Sequence, residues 1–562
     1  MMRWSLPSAV LLLLILGGFF LGFSGSVDDA HITYWAAESL ARYGEILNYN
    51  LDRVEQSSAL LQVIVLGVLR AVTGLSVVML GHVTTIAIAM AALFLYCRLI
   101  RQLAISSMSI FLLASAPFFV YWTFGGMEGP WLSALLLLLL WVLPTCLQSR
   151  GISLSVFFLS LAIQTTRPEM PWLMIGFAFS LFFVRNMLLP AIWPWRALLS
   201  FLVLQCVAAA SLAAWRYGYF GDYFPQPVRA KTSGISTESF LQGVSYLQQA
   251  WGNIWLLPMA TLTILGAVWL VRVDRRPLLI LAVLLAGIYS GFVMASGGDW
   301  MAAGRFWTPI MPILCLLVAW LLDRWIKNTF LHGIIIALLV MMNVSYLVRG
   351  TALDFNGIPL WKETVLTASE QSESFSFFER HARENLHDIP ATLQAQALLE
   401  KSIGMRAIQK NDTPIVLMAG QMGMVPFYLS KQFAGEIRFI DRNGITERTL
   451  TTCSTAAGLP RTRNGLGVGY EWILVNRAAL ETACGFVMPD IVFDIETGWN
   501  RRNIQALEQA GYVFVYRQRG HIFNEPDDAL LPLRKIGAGE FLAVSQKLWQ
   551  QLGSPAPIKR VF

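Results

Sequence analysis

The chain has 562 residues, of which 56% are hydrophobic and only 14% charged, with a mean hydropathy of +0.55. That balance lies outside the range of soluble domains and requires a membrane as part of the solvent. The net charge of +7 is modest, and its basic residues are scattered between apolar stretches, so they read as topology signals and exclude a nucleic-acid partner.

Apolar stretches suited to about 30 Å of hydrocarbon recur up to about residue 348, after which the composition becomes that of a soluble domain. The reading is a polytopic α-helical membrane part, 1–350, followed by an α/β soluble part, 351–562. Residues 6–23 follow Arg3 but lack a small-x-small cleavage site before a soluble region, so they are expected to stay as a first span. Eleven spans are predicted, at about 6–25, 77–97, 105–122, 131–147, 152–166, 170–185, 197–215, 253–271, 277–295, 308–322 and 331–348. With a cytoplasmic N-terminus, Arg98 and Arg101, Arg150, Arg185 and Arg196, Arg272 with Arg275 and Arg276, and Arg324 with Lys327 all fall on the cytoplasmic side. Residues 57–73 are apolar but short and carry Arg70. As a full crossing they would invert every later loop, so a helix on or dipping into the outer leaflet is expected. The protein is then multi-pass in the inner (plasma) membrane, with its tail on the periplasmic side.

Every loop with unusual polar content faces outward in this topology. The first holds Asp28 and Asp29, then His31, Asn48-Tyr49-Asn50 and Arg53-Val54-Glu55. Adjacent carboxylates at a span end suit a general base whose neighbour raises its pKa by like charge, while Asp before the helical run 30–43 equally suits a helix cap. Next come Gly125-Gly126-Met127-Glu128-Gly129-Pro130 and Thr165-Thr166-Arg167-Pro168-Glu169. Glu128 and Glu169 can complement helix N-termini or touch substrate, and Arg167 can hold a phosphate or snorkel to the interface. The loop from residue 216 to 251 carries Asp222, Tyr223, Arg229 and Lys231 among prolines and aromatics, fit for a lipid phosphate or for an interfacial aromatic belt. The last outer loop combines Gly297-Gly298-Asp299-Trp300 with Arg305, either as a substrate contact or as a structural ion pair.

In the tail, strands are predicted at 415–418, 437–440, 472–475, 491–493 and 512–516, with a helix at 501–509 and a helical connection at 369–408. Cys453 and Cys484 could pair if the tail faces an oxidising compartment, whereas Cys97, Cys146, Cys206 and Cys315 sit in or beside spans as buried thiols.

Taken in order, Asp-Asp-Ala-x-Ile-Thr from Asp28, Arg53-Val54-Glu55, Gly126-Met127-Glu128, Arg167-Pro168-Glu169, Tyr219-Phe220-Gly221-Asp222 with Lys231, and Gly297-Gly298-Asp299-Trp300-Met301 with Arg305 resemble the GT-C superfamily of membrane glycosyltransferases. Within it the chain is most similar to the polyprenyl-phosphate-arabinofuranose-dependent group, which includes terminal arabinofuranosyltransferases of actinobacterial cell walls and pilin arabinosyltransferases. Asp441-Arg442-Asn443-Gly444-Ile445-Thr446-Glu447 is similar to an Asp-x-x-Gly-Leu-Thr-Asp stretch of that group. The departures are His31, where an aromatic is usual, and Gln56-Ser57-Ser58-Ala59 in place of a Gly-Tyr-Thr-Ser-Pro-Leu-Trp type.

The resemblance implies an outward-facing transferase using a polyprenyl-phosphate sugar, with a cell-envelope glycan or surface protein as acceptor. Asp28 is then the catalytic acid/base and Asp29 its helper. Arg167, Arg229, Lys231 and Arg305 are phosphate ligands, and His31, Glu128, Glu169, Asp222, Tyr223, Asp299 and Trp300 substrate contacts. No glycine-rich phosphate loop or zinc-spaced Cys/His set is present, no cofactor is expected, and a need for a divalent metal is left open. The rival class is a lipid-linked sugar flippase or transporter.

Overall fold

Hydrocarbon offers backbone amides no partner but the chain itself, so the long uncharged runs fold as helices. The computed structural model describes residues 2–21, 28–148, 154–188, 193–231, 236–252, 276–299, 304–348, 413–420, 422–459, 469–496, 501–517 and 539–553. The span expected at 253–271 and the connection expected at 369–408 lie outside the described residues, as does Trp300.

In chain order the membrane part comprises α1 (Met2–Leu21), α2 (Asp28–Tyr43), α3 (Leu60–Thr73), α4 (Val77–Gln102), α5 (Ile110–Ala114), α6 (Pro117–Phe124), α7 (Gly129–Gln148) and α8 (Leu154–Thr166). It continues with α9 (Met170–Leu188), α10 (Trp195–Phe220), α11 (Gln226–Lys231), α12 (Thr237–Gly252), α13 (Pro277–Ala295), α14 (Met311–Trp325) and α15 (Thr329–Val348). Among the described residues, α4, α7, α10, α13 and Arg305–Trp325 are long and apolar enough to cross a membrane, which makes this a membrane protein. Shorter apolar helices lie at Ser5–Gly17, Leu60–Thr73, Leu154–Thr166, Met170–Arg185 and Thr329–Val344.

One expected span is not continuous. In place of a single helix over 105–122, the helical pieces Ser107–Ala114 and Pro117–Phe124 meet at 58°. Pro117 lacks an amide hydrogen and holds Ala116 extended, with φ −61° and ψ 116°, so the ladder breaks there.

The short apolar segment at 57–73 forms α3, which runs beside α2. Gly67 makes the approach close, because a Cβ there would lie 2.7 Å from Leu40 Cδ2. Arg70, the awkward cation of this segment, pairs with the buried Glu38 of α2 at 3.0 Å, and Arg42 reaches the same carboxylate at 2.7 Å.

The tail comprises β1 (Ile415–Ala419), α16 (Met424–Phe433), β2 (Ile437–Asp441), α17 (Thr449–Ala456), α18 (Tyr470–Val475), α19 (Arg477–Cys484), β3 (Ile491–Glu496), α20 (Arg501–Gln509), β4 (Tyr512–Arg517), β5 (Gly539–Ser545) and α21 (Gln546–Gln551). The strands form one sheet in the order β2-β1-β3-β5-β4, parallel across β2, β1 and β3 and antiparallel at β5. Residues 472–475, expected as a strand, instead belong to α18. Its buried side chains, Tyr470 and Ile473, are three apart, which is helical spacing, and Asn476 closes the turn onto the Trp472 carbonyl. The fifth strand of the sheet is β5, which the sequence reading did not single out.

Strand alternation sends the tail's apolar residues to two cores. Ile415, Leu417, Phe439, Ile491 and Phe493 share one contiguous core with the membrane helices, through α16. Val416, Met418, Ile440 and Val492 face the opposite way, against α17, α18 and α20. On that second face Cys453 and Cys484 are disulfide-bonded, with Cα atoms 5.3 Å apart.

Candidate functional site

Asp28 and Asp29 open α2, in its first turn, where carboxylates complement the helix dipole. The carboxylate of Asp28 also leaves its own helix: Oδ1 accepts the Met424 amide of α16 at 2.6 Å. The acidic pair therefore lies where the tail meets the membrane part. Beside it Tyr49 donates its hydroxyl to the Gly423 carbonyl at 3.1 Å. Burial and the charges of Asp28, Asp441 and Asp29 push the Tyr49 phenol far above its ordinary value, so it acts only as a neutral hydrogen-bond donor. His31 is buried, its ring edge-on to Tyr34 at 5.4 Å and to Phe427 of α16 at 5.3 Å.

Asp29 faces Asp299 and Arg305. Arg305 reaches Asp29 Oδ2 at 3.3 Å and Asp299 Oδ2 at 2.8 Å, so the guanidinium bridges two loops 276 residues apart in sequence. Arg305 starts a 3-10 turn, Arg305–Ile310, held by Ser133 of α7 on the Thr308 carbonyl at 2.8 Å. The neighbouring Gly304 has φ +58°, and a Cβ there would strike the Phe118 ring at 2.4 Å, so only glycine brings the loop this close.

A second buried group adjoins the first. Arg167 bonds to both Glu128 and Glu169, closing the Gly-Met-Glu and Arg-Pro-Glu motifs on one another. Both arginines stack on Phe306, with Arg167 at 4.7 Å and Arg305 at 5.6 Å from its centroid. Four carboxylates thus share two guanidiniums, an arrangement that attracts positive charge.

Asp222, Tyr223 and Arg229 form another group. Arg229 pairs with Asp222, and Arg448 of the tail approaches the same oxygen at 3.3 Å. Tyr223 is exposed and stacks on Tyr217 at 4.8 Å. Lys231 ends α11, and its side chain lies outside the described residues. Arg216 fixes this loop to the first one through a buried, bidentate pair with Glu55, Nε–Oε2 2.9 Å and Nη2–Oε1 2.9 Å. Among the described residues no three His, Cys, Asp or Glu side chains gather as metal ligands would.

Sequence reasoning missed the tail's share of the site. Asn50 exchanges two hydrogen bonds with the Phe439 backbone, at 2.9 and 2.7 Å, and so continues the sheet beyond its edge strand β2. Gln226 donates to the Gly444 carbonyl at 2.8 Å and Asn48 to that of Thr446 at 3.3 Å. The loop they hold is the Asp441-to-Glu447 motif, wound on Asp441, whose carboxylate accepts the amides of Asn443, Ile445 and Thr446. The available signals were the polar Asn48-Tyr49-Asn50 run and the Gly420-x-x-Gly423 turn between a strand and a helix.

No family model matches this sequence. A search of curated proteins likewise finds no match. Solved structures do match. A crystal structure of ArnT from Cupriavidus metallidurans bound to undecaprenyl phosphate is 14% identical and is covered over 96% of this chain and 98% of that one, with a TM-score of 0.52. The oligosaccharyltransferase AglB from Archaeoglobus fulgidus, in complex with an inhibitory peptide and a dolichol-phosphate, is 11% identical over 98% of this chain and 77% of that one, with a TM-score of 0.51. The arabinofuranosyltransferase AftD from Mycobacteria, 13% identical over 97% of this chain and 40% of that one, has a TM-score of 0.38, too low to bear on the sugar. At these identities the likeness is one of fold.

Proposed function

We propose that this chain, which has the GT-C fold, is a glycosyltransferase moving a sugar, D-arabinofuranose, from a polyprenyl-phosphate donor to a cell-envelope glycan or to a surface protein such as pilin. The cluster of acidic side chains at and beside Asp28 and Asp29 carries the reading. In the transfer, Asp28 takes the proton of an acceptor hydroxyl, and the acceptor oxygen bonds to the anomeric carbon. The bond from that carbon to the phosphate oxygen breaks, and the electron pair leaves with the polyprenyl phosphate.

Charge supports this division of labour. The sugar gains oxocarbenium character in the transition state, which suits a cluster where four carboxylates share two guanidiniums. Arg167 and Arg305 are outnumbered by these carboxylates, whereas Arg229 and Arg448 share the single carboxylate of Asp222, so the departing phosphate is better served by Arg229, Lys231 and Arg448, next to the exposed ring of Tyr223. Both ArnT and AglB were solved with a polyprenyl-type phosphate bound, which supports such a donor here. The flippase alternative is disfavoured because the ionisable groups gather at helix ends and loops rather than inside spans.

Asp28→Asn should lower transfer by at least about 10²-fold while the protein still inserts and binds the sugar donor. Near-normal turnover would rule out Asp28 as the base. Mass spectrometry of envelope glycans and surface proteins from cells lacking the chain should show a missing pentose. A missing hexose would overturn arabinofuranose, and movement of intact donor across vesicles without transfer would favour the flippase.

A further inference from the structure

In an open α/β sheet the turn after a parallel strand, running into a helix N-terminus, is where anions bind. In the tail the segment between β1 and α16 includes Gly420, Met422 and Gly423. Gly423 is the N-cap residue of α16 and has no side chain to cap it. The first amide of the helix, that of Met424, has no partner within the helix. Its acceptor comes from the membrane part, as Asp28 Oδ1 at 2.6 Å. The contact is close enough to exclude a side chain, since a Cβ on Gly423 would lie 2.0 Å from the Asp28 carbonyl oxygen and 2.4 Å from its carboxyl carbon. Tyr49 ties the same turn down from the other side, through the Gly423 carbonyl.

We infer that the Gly423–Met424 turn is a positioning device for the proposed base: the tail uses its anion-binding turn to hold the carboxylate of Asp28 in one orientation, so the site is complete only when the tail is docked. This rests on the assignment of Asp28 above. Two helix N-termini, those of α2 and α16, then converge on one carboxylate, and both favour its ionised form.

Among the described residues, the charged and titratable groups near the acidic pair include Asp29 and His31 on its own helix, Arg305 beyond Asp29, Tyr49 from the first loop, and Asp441 of the tail, whose charge acts on Tyr49. None of these side chains is replaced in Gly423→Ala, whose Cβ would push the Asp28 carboxylate off the Met424 amide. In full-length protein in nanodiscs, given a synthetic polyprenyl-phosphate arabinofuranose, Gly423→Ala should lower kcat about tenfold or more and leave KM for the sugar donor unchanged. It should also move the acidic limb of the kcat profile upward by about one pH unit, because the carboxylate loses a donor to its charged form. Met424→Pro deletes the amide hydrogen at a helix position that accepts proline, and should do the same where Met424→Ala, which removes the same buried side chain but keeps the amide, does not.

Hydrogen exchange supplies a readout independent of transfer: Asp28→Ala should speed exchange of the Met424 amide at least tenfold. Unchanged exchange would overturn the contact. An unaltered pH profile and kcat in Gly423→Ala and Met424→Pro, alongside a dead Asp28→Asn, would overturn the positioning role while leaving the proposed function intact. An active Asp28→Asn would instead sink the function and not the contact.

Discussion

Arg167 shows how a single buried charge is decided by its partners. Read alone, an arginine at a span end beside a proline suits a phosphate. Folded, it sits in dry surroundings between Glu128, 39 residues upstream, and Glu169, two residues downstream, so its charge is spent within the protein. Removing it would strand two buried carboxylates, a cost of about 3–5 kcal/mol. Arg167→Ala should therefore lower the unfolding midpoint in detergent sharply. Loss of donor affinity with unchanged stability would restore Arg167 as a phosphate ligand. Asp28 taught a related lesson: the choice between capping and chemistry was framed around its own helix, whereas the helix end it satisfies belongs to the tail.

Among elements, the shortest runs were the hardest to read. The four residues 472–475 carry the same apolar character as a strand, and only the burial of Tyr470 and Ile473, at helical spacing, marks them as a helix. Residues 57–73 kept the helical character their length and apolarity required, and the pairing of Arg70 with Glu38 explains a cation that composition alone made awkward. Loop 441–447 has a polar centre: burial pushes the Glu447 carboxyl up to about 7 from the usual 4.5, partly offset by hydrogen bonds from Thr449 and Asp441. The folded form thus binds the proton more tightly than the unfolded one. Its contribution to tail stability is full below about 4.5 and is lost as pH rises through about 7. Glu447→Gln should flatten thermal stability across that window, and a slope equal to wild type would refute the assignment. The disulfide between α17 and α19 spans 31 residues, and Cys453→Ser should cost the tail about 3–4 kcal/mol, seen as earlier proteolysis of the tail.

For the whole molecule, docking of the tail is the organising event. Asn50 extends β2, Gln226 and Asn48 hold the 441–447 loop, and Met424 meets Asp28, so most of these contacts come from residues 28–50. Asn50→Ala leaves the edge of β2 without its pair and should loosen the tail, raising exchange across Ile437–Asp441 and lowering transfer together. Raised exchange with full activity would separate docking from catalysis.

The sequence by itself determined the solvent, because apolar runs of that length can satisfy their backbone only as helices in hydrocarbon. It also carried the polar motifs in their order, and through these the GT-C fold. It left the partners open. Which carboxylate meets which guanidinium, that Phe306 lies under both arginines, and that Asp28 is held by an amide 396 residues away are set by loops brought together only when the helices pack and the tail docks. Local patterns report periodicity and hydropathy, whereas ion pairs and hydrogen bonds depend on distances of a few ångströms that no linear spacing encodes.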